Sequence, residues 1–120
     1  MFRAGAVVAD NVSPVSNEQV QPNGVDLTLD AVKKFDEPGV LGRDGKKVGA
    51  RVTVEPTESV YRLDPGSYAA TYGERISIPE GHVGFVLPRS SLMRNGAMLN
   101  TAVWDAGYEG RGEGLLRVGH

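Results

Sequence analysis

Along this chain apolar and polar residues alternate over short stretches that glycine and proline keep interrupting. Residues Gly24 to Val32, GVDLTLDAV, place Val25, Leu27, Leu29 and Ala31 on one side and Asp26, Thr28 and Asp30 on the other, the period of a half-buried strand. The same reading predicts strands over Arg51 to Glu55, Ser59 to Leu63 and Ser67 to Tyr72, with Asp64, Pro65 and Gly66 turning the chain between the last two. Arg75 to Ile78 and His82 to Leu87 follow, separated by Pro79, Glu80 and Gly81. Thr101 to Trp104 is read as a further strand that delivers Asp105 to its end. Residues 36 to 50 hold Pro38 and glycines among charges, which predicts an exposed hairpin turning through Arg43, Asp44 and Gly45. The first eleven residues are expected to form a short strand or turn, and Val12 to Gln21 a loop or short helix. One helical turn is predicted, Ser90 to Asn95, opened after Pro88 and stopped by Gly96. Short strands at this spacing define an all-β barrel or sandwich.

Composition agrees with that class. Gly and Pro number 16 and 7, so long helices are disfavoured, while 40% hydrophobic and 23% charged residues are values of a folded chain. A chain of 120 residues buries roughly two thirds of its unfolded surface, enough for one core, and the expectation is a single domain over 1–120. The 13 basic and 15 acidic side chains argue against a nonspecific nucleic-acid or anionic-membrane partner, which draws on basic excess. No apolar run approaches the roughly 18 residues that span a bilayer, and Asp10 and Asn11 cut the first apolar stretch short, so a cytoplasmic protein is expected. With no cysteine there is neither a disulfide framework nor a thiolate site.

Candidate chemistry concentrates in two blocks. In PRSSLMRNG, Pro88 to Gly96, two hydroxyls and two guanidiniums fall within six residues. If Ser90 opens a helical turn, its N–H groups, the Ser90 and Ser91 hydroxyls, and Arg89 and Arg94 suit a phosphate; the alternative is a capped turn with solvated arginines. In NTAVWDAGYEGRGEG, Asn100 to Gly114, Asp105 is a candidate general base or metal ligand, or an acid that starts a turn, and Tyr108 reads equally as core. Other patterns fail. Gly107, Gly110, Gly112 and Gly114 have no helix to follow them, Gly45-Lys46-Lys47 lacks the hydroxyl residue of a P-loop, and His82 and His120 have no second histidine at metal spacing. Asp36, Glu37, Glu109 and Glu113 are read as solvated loop acids.

Three ordered blocks, QPNGVDLTL at Gln21 to Leu29, PRSSLMRNG at Pro88 to Gly96 and NTAVWDAGYEG at Asn100 to Gly110, resemble the motifs of the dUTPase and dCTP deaminase superfamily, closest to the deaminase-like archaeal dUTPases. The resemblance implies a distorted jelly-roll of the β-clip type, a homotrimer with active sites between subunits, and Mg²⁺ on the triphosphate of a deoxynucleotide. It implies that Arg89, Ser90, Ser91 and Arg94 hold the phosphates and that Asp105 contacts the sugar 3′-hydroxyl and orients the attacking water. Tyr108 would lie against the deoxyribose, Asn100, Thr101 and Val103 would line the pyrimidine, and Asp26 would reach the metal through water. Deaminases of this superfamily carry a glutamate ten residues after the motif aspartate; here that position is Leu115. The implied reaction is therefore hydrolysis of dUTP to dUMP and pyrophosphate, with dCTP deamination, or nucleotide binding without turnover, as alternatives. Family members continue beyond this point with a fourth motif and a closing segment, so the expectation is either an incomplete chain or a diverged one.

Overall fold

The computed structural model describes residues 2–120, and among them no helix exceeds five residues. In chain order the elements are α1 (Gly5–Ala9), β1 (Val12–Ser13), a 3₁₀ turn (Asn17–Gln19), β2 (Val20–Gln21), β3 (Gly24–Val25), β4 (Leu29–Phe35), β5 (Val40–Gly42), β6 (Gly45–Lys47) and β7 (Arg51–Val54). Then come β8 (Gly66–Tyr72), β9 (Arg75–Ser77), α2 (Ser90–Arg94), β10 (Ala97–Asn100), β11 (Glu109–Gly110) and β12 (Glu113–Val118). The fold is all-β, as expected. Its strands form a five-stranded sheet in the order β10-β12-β8-β4-β7, a three-stranded sheet β1-β9-β11, and the two pairs β2-β3 and β5-β6.

The chain divides into two compact units: residues 1–30, 71–86 and 101–113 make the first, and 31–70, 87–100 and 114–120 the second. The core of the first unit is Val12, Ile76 and Ile78, with Val8, Val25, Leu27, Trp104 and Tyr108 packed against it. Val12 lies opposite Ile76 in the antiparallel β1-β9 ladder, which is how two short strands bring these side chains together. In the second unit the buried side chains are Val32, which is fully enclosed, Tyr68, Ala69 and Ala70. Val32 faces Val54 across the β4-β7 ladder, and the Tyr68 hydroxyl donates to the Asp64 carbonyl at 2.7 Å.

The hairpin is where the pattern places it: Gly42 pairs with Gly45 around Arg43 and Asp44, and every residue from 34 to 48 is exposed. Strands β7, β8 and β9 and helix α2 also match, and Gly96, at φ +78, follows α2 as its stop. Six expectations change. Helix α1 (Gly5–Ala9) stands where a short strand or turn was expected, because Gly5 presses against the Gln21 and Gly24 carbonyls, where any Cβ would collide, and donates its N–H to the Pro22 carbonyl at 3.1 Å. The 12–21 segment carries β1 and β2 as well as its helical turn, which a Ser16–Gln19 capping box closes. The Gly24 to Val32 strand breaks at 26–28, which restarts the alternation, so Leu29 is 49% exposed and Val32 is the buried residue.

Ser59 to Leu63 is not a strand. Thr57 and Val60 exchange two main-chain hydrogen bonds around Glu58 and Ser59, whose φ values of 50° and 62° make a primed two-residue turn. His82 to Leu87 and Thr101 to Trp104 are likewise not strands; they meet in one bridge, Gly84 with Trp104, and the regular strand of that region comes earlier, at β10. A side chain at Gly84 would strike the Ile78 Cδ1 at 2.6 Å and the Trp104 ring. Glycine is therefore what lets these two segments approach.

Candidate functional site

Asp105 follows the Gly84–Trp104 bridge directly. Gly84 and Trp104 exchange two main-chain bonds, 2.9 and 3.0 Å, so the chain is fixed immediately before the acid. After it, the Tyr108 N–H donates to the Asp105 carbonyl at 3.1 Å across a turn whose third residue, Gly107, has φ +87, a conformation that favours glycine. The turn is then tied to the end of β9: Gly107 N–H donates to the Ile78 carbonyl at 2.8 Å, and Ile78 N–H donates to the Tyr108 carbonyl at 2.9 Å. Asp105 itself is exposed. The main chain that carries this exposed carboxylate is gripped at both ends, which fixes where the side chain starts and leaves it open to water.

Aromatic packing supports the same turn. The Trp104 and Tyr108 rings stack at 5.6 Å with planes 11° apart, and Tyr72 meets Trp104 edge-on at 6.1 Å. Tyr108 is half-buried against the Val12, Ile76 and Ile78 core, and its hydroxyl donates to the Arg111 carbonyl at 3.1 Å. The core alternative read for Tyr108 thus holds for part of its surface. Gly112 lies against Trp104, where a Cβ would collide with the indole. The glycines after Tyr108, which resemble a nucleotide loop only superficially, make room for this ring and for the turn.

Asp26 sits in the gap between β3 and β4. Its N–H donates to the Gln19 carbonyl at 2.8 Å, its carbonyl accepts from the Gln19 amide at 2.9 Å, and its carboxylate accepts from Gln21 at 3.2 Å. Asp26, Thr101, Val103, Asp105 and Tyr108 all belong to the first unit. Thr101 and Val103 are exposed.

Arg89, Ser90, Ser91, Arg94 and Asn100 belong to the second unit. Helix α2 begins from an extended Arg89, φ −73 and ψ 151, with no side chain capping it. Leu92 N–H donates to Arg89 at 3.0 Å, and the Asn95 amide closes the far end on the Ser91 carbonyl at 2.8 Å. Ser90, Ser91 and Arg94 are exposed. The N-terminal end of the turn has no side-chain cap, while Asn95 caps its far end and Arg94 is solvated, features that both readings of this turn share. Asn100 ends β10 and lies directly across the antiparallel ladder from Leu115 of β12.

Two features escape sequence reasoning. Trp104 organises the aromatic stack, and Glu74 is a buried carboxylate, 3% exposed, that accepts from Thr28 and Gln19. Trp104 was signalled only by being the single tryptophan beside a candidate acid. Glu74 had no signal, since its partners lie 46 and 55 residues away along the chain.

These observations define an all-β protein whose polar chemistry is carried on turns between short strands. More particularly, the chain belongs to the dCTP deaminase-like family, whose model matches residues 2–120. It is 56% identical, over its whole length and 76% of the relative's, to a probable deoxyuridine 5′-triphosphate nucleotidohydrolase of Halobacterium salinarum. Proteins of the same name from Aeropyrum pernix and Methanococcoides burtonii are each 42% identical, covering 98% and 83% of this chain and 76% and 61% of their own lengths.

Proposed function

We propose that this chain is a dUTP pyrophosphatase that hydrolyses dUTP to dUMP and pyrophosphate by attack of water on the α-phosphorus. The observation that carries the reading is the 56% identity, across the whole chain, with a relative named for that hydrolysis. Leu115 favours it over dCTP deamination. Proton shuttling at a cytosine amino group needs a carboxylate at that place, and the side chain opposite Asn100 is aliphatic.

In this reading Asp105 accepts the proton of the attacking water, a contribution of about 10²- to 10⁴-fold, and contacts the sugar 3′-hydroxyl. Its two-sided backbone anchorage supports that role, because a base works only from a held position. Tyr108, stacked on Trp104, lies against the deoxyribose in this reading, where a 2′-hydroxyl would crowd it. Asn100, Thr101 and Val103 line the uracil. Arg89 and Arg94 make charge-assisted bonds to the phosphates, and Ser90 and Ser91 add hydroxyl and N–H donors. When bound, Mg²⁺ offsets triphosphate charge that would repel the nucleophile. The donor set at Asp26, one carboxylate with a neighbouring amide, fits a hydrated ion carried on the phosphates rather than one caged by protein, and Asp26 would hold a water of its shell.

The same reading makes the protein a cytoplasmic homotrimer with active sites between subunits. Exposed Val83, Phe85 and Leu87, at alternate positions of one segment, support association. Sedimentation equilibrium should return three times the 12.8 kDa of the chain. For the reaction, the protein is incubated with dUTP or dCTP and Mg²⁺, and pyrophosphate and ammonia are followed separately. Pyrophosphate from dUTP without ammonia from dCTP is expected. Ammonia from dCTP overturns the reading in favour of deamination, and neither product leaves nucleotide binding without turnover.

A further inference from the structure

Glu74 is the one charged side chain among the described residues that is buried, and the neighbouring ion pair of Arg75 with Glu109 does not involve it. Its partners are neutral donors. One carboxylate oxygen accepts from the Thr28 N–H at 2.8 Å, and the other accepts from the Thr28 hydroxyl at 2.7 Å and the Gln19 amide at 2.9 Å. The adjacent Gly73 N–H donates to the Thr28 carbonyl at 2.9 Å, and Gly73 has no room for a Cβ, which would lie 2.5 Å from the Thr28 hydroxyl. The turn between β8 and β9 thus grips Thr28 by main chain and side chain together.

Gln19 carries the grip onward. Its amide nitrogen donates to Glu74 and to the Asp26 carbonyl, and its amide oxygen accepts from the Ser16 N–H and hydroxyl, so all four hydrogen-bonding positions of the side chain are used. Its carbonyl also accepts from the Asp26 N–H. Asp26 is therefore pinned on one flank by Gln19 and on the other by Thr28, and both flanks end on Glu74. A carboxylate is required there because it offers acceptors only; an amide would set a donor against a donor.

We propose that Glu74 is a positioning residue for Asp26, acting through Gln19 and Thr28. The inference rests on the reading above in which Asp26 meets the metal-bearing triphosphate. A buried charge satisfied entirely by neutral donors from one short segment costs desolvation that an apolar residue would avoid, and what it supplies is a single geometry for that segment. Partners bonded directly to a metal-facing group alter metal-linked affinity about 10- to 100-fold when removed, and Glu74, one contact further back, is expected at the lower end of that range.

The test uses the non-hydrolysable analogue α,β-imido-dUTP and calorimetry, with the ratio of its affinities in the presence and absence of Mg²⁺ as the readout. In Glu74→Gln the metal-free affinity should stay within about twofold while the Mg²⁺-dependent gain falls about tenfold. In the pair with Asp26→Asn no further loss should follow, because both act at one point. A general structural role would instead lower both affinities together, and that result, or an unchanged gain, overturns the proposal. If Asp26→Asn loses the gain and Glu74→Gln does not, positioning alone fails; if Asp26→Asn keeps it, the role read for Asp26 fails and positioning with it. Should Glu74→Gln not melt cooperatively, Gln19→Met cuts the link while leaving Glu74 bonded to Thr28, and the same two outcomes decide.

Discussion

The turn that carries Asp105 is held by four main-chain hydrogen bonds to Gly84 and Ile78 and backed by stacked rings, whereas the Ser90–Arg94 turn is held by its own helical bonds and by Asn95. One positions a single acid through elements drawn from distant parts of the chain. The other is a local device that holds hydroxyls and a guanidinium out to solvent. The difference matches what each group is asked to do. A base must meet one water at one angle, while phosphate oxygens accept donors from many directions and charge does most of the selection.

The sharpest way to break the contrast is Asp105→Asn, which keeps shape and removes the base. Turnover of dUTP should fall about 10²- to 10⁴-fold with nucleotide affinity retained, measured by pyrophosphate release and calorimetry. Retained turnover would reduce Asp105 to a turn former. Next comes the brace behind it. Trp104→Ala deletes the ring shared by Tyr72, Tyr108 and Gly112, and should cost about 3 kcal/mol in urea unfolding.

On the local turn, Arg94→Ala should leave unfolding within about 0.5 kcal/mol of the parent, since the side chain is exposed, while raising KM for dUTP about tenfold. A large stability loss there would show that the turn is built more like its counterpart.

The smallest effect is expected at Tyr72, whose buried hydroxyl has no hydrogen-bond partner. Burial, and then the charge of Glu113, push its pKa above the ordinary 10.0. The unfolded chain gives up this proton more readily than the folded one, so the group's contribution is present below pH 10 and lost as pH rises beyond it. Tyr72→Phe should therefore be neutral to about 1 kcal/mol stabilising at pH 7, and should lose less stability than the parent between pH 10 and 11, by thermal melts.

The two turns also differ in how far they could be read in advance. Helix α2 with its Gly96 stop, the Arg43–Asp44 hairpin, and strands β7, β8 and β9 follow from residues adjacent in the chain, where turn chemistry and alternation act directly. What was missed depends on partners far away. Helix α1 exists because Gly5 fits against Gln21 and Gly24, the strand from Gly24 breaks because Glu74 captures Thr28, and the predicted Thr101 to Trp104 strand shrinks to one bridge held by Gly84. The candidate acid and the arginine-serine turn were legible as motifs, but the rings and the buried glutamate behind them were not. No local period marks a side chain whose partners lie about fifty residues away.

The hairpin of β5 and β6 offers an experimental handle. Its strands pair with each other, and the residues from 34 to 48 are all exposed, so an affinity peptide or a fluorophore-bearing insertion between Arg43 and Asp44 would meet little packed structure. A label placed there would let binding and assembly be followed by light without touching either turn.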